Sequence, residues 1–147
     1  MSYKIIVLFI LLVASAFYLG SVEPKEYPAP PPAVLDDVNE DTLFVHLNGY
    51  RGNNNLPILI KSDELCSIAL IRLEDMQTDF SHDKFYERVA YASYTKIGEN
   101  LSRGFIHESE IMSKWIHSPL HKENLDYPYT EACIKCDTPY CVLLLAH

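Results

Sequence analysis

Residues 97–121 read IGENLSRGFIHESEIMSKWIHSPLH, with Phe80-Ser81-His82 a short way before them. The stretch holds a Gly-Glu-Asn-Leu segment, a short amphipathic helix with the only tryptophan of the chain, and a Ser-Pro-Leu-His corner. His82, Glu99 and His121 fall in three separate segments, each beside residues that punctuate the backbone. Two imidazoles and a carboxylate brought in from separate loops are how a small site is assembled on a rigid scaffold.

Working outward, the spacing predicts a helix over residues 108–117, with Ile111, Met112, Trp115 and Ile116 inward. It must end by Ser118, because the residue before a proline is pushed out of the helical region. Ser118 then suits an N-cap and Pro119 the first position of a new short helix, which puts His121 in its first turn. A helix N-terminus disfavours imidazolium, so His121 is expected to stay neutral. Residues 96–102 read as a strand.

Before this stretch, the pattern predicts a helix from Asp36 to Arg51, acidic in its first turns and stopped by Gly52-Asn53-Asn54-Asn55. Leu56-Pro57-Ile58-Leu59 reads as an extended link. A second helix runs over residues 63–77, capped by Ser62 or Asp63, with Leu65, Ile68, Ala69, Leu73 and Met76 at helical spacing. Residues 83–95 fit either a helical turn or an extended segment. The tail has two extended runs, 129–136 and 140–146, joined by Asp137-Thr138-Pro139, which signals a hairpin.

The N-terminus is a targeting segment rather than part of the fold. Lys4 precedes the apolar run IIVLFILLVASAFYLG, and Ala14-Ser15-Ala16 offers a small-residue cleavage site. Residues 1–21 thus read as an export signal or as a retained transmembrane anchor, the run being short of the ~20 residues a span needs. Residues 22–34 hold five of the nine prolines and read as a polyproline stalk or a leader without a role. The domain proper is 35–147, secreted or tethered to a membrane. A net charge of −8 without a Lys/Arg cluster excludes the electrostatic footprint of a nucleic-acid binder.

Four cysteines suit an oxidising compartment and allow three disulfide connectivities. Cys136 and Cys141 flank the hairpin turn and could pair across it, leaving Cys66 to meet Cys133. Cys133 and Cys136 on one strand point to opposite faces, so that Cys-x-x-Cys cannot chelate a metal from there.

Leu47-Asn48-x-x-Arg51, Phe80-Ser81-His82, Gly98-Glu99-Asn100-Leu101, Trp115, Ser118-Pro119-x-His121 and a closing hairpin, in this order, resemble the CAP superfamily. These are the cysteine-rich secretory, antigen 5 and pathogenesis-related proteins, or SCP domains, and the Ser-Pro-x-His version is similar to the bacterial-type branch. The resemblance implies an α+β fold, an α-β-α sandwich with a small, mostly antiparallel sheet between helical layers. It also implies a cleft lined by His82, Glu99 and His121, which in some members binds a divalent metal; here His82 and His121 would be the ligands. A second acid has no matching position, and Glu87 and Glu108 are candidates by proximity alone. Where the family has a glycine at the start of the first tail strand, this chain has Glu131-Ala132-Cys133.

Two imidazoles and a carboxylate can hold zinc with an open position for water. They can also do acid–base work without metal, or form a structural hydrogen-bond network. The expected role is therefore binding, of a divalent metal such as zinc, a small lipid-like ligand or an extracellular protein partner. The rival is a hydrolase, metal-assisted or dependent on the His/Glu cleft. No HExxH pair and no Gly-x-Ser-x-Gly elbow is present. Asn48 and Arg51 read as scaffold hydrogen bonders, Trp115 as core, and His46, His107, His117 and His147 as solvated.

Overall fold

The computed structural model describes residues 37–147. The export segment and the proline-rich stalk lie outside the described residues. Within them the order is α1 (Glu40–Asn53), β1 (Ile60–Lys61), α2 (Asp63–Thr78), α3 (Phe85–Val89), β2 (Ile97–Arg103), α4 (Glu108–His117), α5 (Pro119–Asp126), β3 (Glu131–Asp137) and β4 (Tyr140–Ala146). No helix among the described residues is long and apolar enough to cross a membrane.

The sheet order is β1-β3-β4-β2. β4 runs antiparallel to both β3 and β2, and β1 lies parallel to β3. The expected α+β sandwich is present. The small parallel strand is the addition, directly after the Leu56-Pro57-Ile58-Leu59 stretch that reads as an extended link.

The apolar run of β4 explains the layering. Cys141, Leu143 and Leu145 face one core cluster, with α1, α4 and α5. Val142, Leu144 and Ala146 face the other, with α2. A strand buried on both faces reads as continuous apolar sequence, and its period of two sends alternate side chains into two cores. Cys66 of α2 bonds Cys133 of β3, and Cys136 bonds Cys141 across the hairpin, as the turn suggested.

α1 starts at Glu40, later than expected, because Asn39 caps it by accepting the Thr42 N–H at 2.8 Å. Val38 and Leu43 flank that cap and are buried in one cluster, which fixes how the chain enters the helix. The ambiguous stretch 83–95 holds only the short α3. Arg51 is fully buried and donates to the carbonyls of Pro57, Leu125, Tyr127 and Tyr129. It binds the loops around α5 to α1, and Asn48 joins in by bonding both backbone groups of Leu59. Both are scaffold bonders, and Trp115 is core.

Candidate functional site

β2 is an edge strand, and its free edge is where the two helical layers meet. Its alternation splits the Gly-Glu-Asn motif between those layers. Glu99 reaches Arg72 of α2, while Asn100 turns to α5 and donates to the His121 carbonyl at 3.0 Å. Asn124 of α5 bridges the Glu99 carbonyl and the Asn100 side chain. Gly98 has a steric reason: a Cβ there would stand 2.7 Å from the Tyr129 hydroxyl and 2.9 Å from Asn124 Oδ1. Asn100 therefore ties strand to helix.

His82, Glu99 and His121 do come together, lining a cleft of about 300 Å³ along that edge. Glu99 is buried, and Arg72 holds it with two bonds, Nε to Oε2 at 2.6 Å and Nη2 to Oε1 at 3.1 Å. His82 Nδ1 lies 2.8 Å from Oε1. A carboxylate oxygen accepts, so His82 donates to it through Nδ1. The His82 side chain is 56 % exposed, at the mouth of the cleft. The His121 ring faces it with centroids 6.5 Å apart. Phe85, Tyr86, Ile97 and Leu120 form apolar walls.

His121 is held below the ordinary histidine value by burial first and then by repulsion from His82. The neutral ring expected from the helix terminus is thus favoured by a different cause. Ser118 occupies the N-cap position of α5, but its hydroxyl makes no cap bond.

Arg72 is the residue that sequence reasoning missed. It is buried among apolar residues of α2, and besides Glu99 it bonds Asp75 and the Ser81 carbonyl. Burial alone would lower its pKa, and the two carboxylates more than reverse that. Asp75 in turn is bonded by Arg88 and Lys84. A charged pair at i and i+3 inside an apolar helical stripe was the available signal. Neither candidate second acid lines the cleft. Glu108 accepts the Asn39 N–H at 2.6 Å and joins α4 to the start of α1, and Glu87 is exposed. His46, His107, His117 and His147 are all exposed.

The donor set does not suit a resident zinc on His82 and His121. Among the described residues no group of three His, Cys, Asp or Glu side chains is placed to hold an ion. Glu99 is committed to Arg72 and His82, which leaves two imidazoles where zinc takes three or four protein ligands.

The profile of the CAP family, the cysteine-rich secretory proteins, matches residues 45–132. The chain belongs to the CAP family. Its fold is similar to an extracellular SCP-domain protein from Bacillus anthracis (20 % identity, TM-score 0.69), covering 74 % of this chain and 40 % of that one. It is similar to a cysteine-rich secretory protein from Staphylococcus aureus (19 %, TM-score 0.67), covering 83 % and 42 %. An outer surface protein from Borrelia burgdorferi matches too (21 %, TM-score 0.63), over 72 % and 90 %. The CAP chain here thus spans about two fifths of the first two proteins. No curated protein sequence matches it.

Proposed function

We propose that this CAP protein is an exported binding module whose cleft takes a small ligand with a hydrogen-bonding head and an apolar body. The observation that carries the reading is the lining. His82, Glu99, His121 and Asn124 offer polar groups, and Tyr86 and Leu120, 79 % and 76 % exposed, stand as apolar walls. A concave site with apolar walls and a few convergent polar groups is the usual form of a small-molecule site. Export is supported by two disulfides and by neighbours described as extracellular or outer surface proteins.

A second reading, hydrolysis, is favoured by one observation. Glu99 orients the His82 ring so that Nε2 is free to act as a base. The neighbouring Ser81 is not its nucleophile, since the Ser81 hydroxyl donates to Asp79 at 3.0 Å. The attacking group would have to be water.

Ligand-observed NMR with a fragment library, on the wild type and on H82A/H121A, tests the binding reading. Fragments that bind the wild type and not the double variant are expected. A library in which every hit binds both proteins alike would sink the proposal. Calorimetric titration with zinc is expected to give no saturable binding. Saturable zinc binding lost in H82A/H121A would overturn the reading in favour of a metal.

A further inference from the structure

His121 has a second side. It is also the wall of a slot of about 300 Å³, further along the β2 edge, that the cleft does not use. Phe80, Leu101, Phe105 and Trp115 make it apolar. Arg103 and Lys114 line it too, each over an aromatic ring: the Arg103 guanidinium 4.7 Å from the Phe80 centroid, the Lys114 ammonium 5.7 Å from that of Phe105. Among the described residues neither cation has a carboxylate partner, while the acidic chain pairs Arg72, Arg88, Lys84, Lys122 and Lys135. Ser102, 5 % exposed, also lines the slot, and its hydroxyl has no hydrogen-bond partner among the described residues. A buried hydroxyl without a partner is costly.

We propose that this slot binds a small organic anion, an apolar aryl or alkyl body carrying a carboxylate. The body packs against Trp115 and Leu101, the charge answers Arg103 and Lys114, and an oxygen accepts the Ser102 hydroxyl. The volume lies at the lower end for ligand sites, which selects a compact ligand over a long-chain lipid. The slot shares only His121 with the cleft, so it does not depend on what the cleft binds.

Trp115, the single tryptophan, is a built-in reporter. The experiment titrates the protein with 3-phenylpropionate and with its neutral counterpart 3-phenylpropan-1-ol. Tryptophan fluorescence and the Trp115 indole N–H resonance are followed. The acid is expected to bind saturably and about tenfold more tightly than the alcohol, for two partly exposed charge contacts. R103Q/K114Q should bring the acid down to the level of the alcohol. S102A should weaken the acid and yet raise Tm by a few degrees (~4 °C), because it removes a hydroxyl unpaired in the free protein. H82A, on the other side of His121, should keep the preference for the acid over the alcohol. Equal affinity for acid and alcohol, no saturation up to the solubility limit, wild-type affinity in R103Q/K114Q, a fall in Tm in S102A, or loss of that preference in H82A would each overturn the proposal.

Discussion

Glu99 and His82 share a hydrogen bond but carry different energies. Glu99 is one of two carboxylates opposite Arg72, whose guanidinium is buried. Replacing it with glutamine leaves Arg72 with Asp75 alone, and breaking one side of a buried ion pair costs about 3 kcal/mol. His82 is more than half exposed, and its loss should cost no more than about 1 kcal/mol. We expect E99Q to lower the urea midpoint strongly and H82A to leave it nearly unchanged. Equal midpoints would show that Arg72 is not anchored by Glu99. Loss of function in E99Q is therefore not a clean sign of chemistry, whereas loss in H82A is. His82, Glu99 and His121 were legible because each sits in a short motif with backbone punctuation. Arg72 was not, because charge in an apolar stripe does not say which carboxylate, 27 positions away, will meet it.

At the scale of elements, the helices were legible to the extent that their caps were. α4 and α5 meet at Ser118-Pro119 because proline excludes one helix end and suits the next start. α1 was misread at its start because four acidic residues, two of them ahead of Asn39, hid the cap. β1 was invisible for another reason: two residues carry no period, and its pairing with β3 comes from a partner 71 positions away. The disulfides divide in the same way. Cys136–Cys141 closes a separation of 5 and restates the hairpin, while Cys66–Cys133 closes 67 and joins α2 to the sheet. Loop-closure entropy gives about 4 kcal/mol for the long link and about 2 for the short one. Thermal unfolding of C66A/C133A and C136A/C141A should show the larger Tm loss in the first pair. The reverse order would mean that α2 holds to the sheet by packing alone.

Over the whole molecule, the titrating groups favour neutral pH over acid. Asp75 is held well below the ordinary carboxylate range, first by Arg88 and then by Lys84 and Arg72 against the cost of burial. Asp126, which burial would raise, is brought below its ordinary value by Lys122 and Tyr50. Glu108 is lowered by its own backbone N–H and that of Asn39. A carboxylate with a depressed folded pKa contributes stability that is complete above its unfolded value, about 4, and is lost as pH falls toward the folded value. His121 acts in the same direction. Its folded pKa is lowered, so the unfolded chain takes up a proton first as pH falls below about 6.5, and stability drops there. Stability should therefore rise from acid pH up to about 6.5, with two separable steps. D75N should cost on the order of 2 kcal/mol at neutral pH and make the lower step shallower, because its share of the proton linkage is gone and only that of Asp126 and Glu108 is left. H121N should flatten only the upper one. Chemical denaturation across pH 3 to pH 7 reads both slopes. An unchanged lower step in D75N would mean that acid lability comes from Asp126, Glu108 and the rest of the chain and not from the Arg72–Asp75–Arg88 cluster behind the cleft.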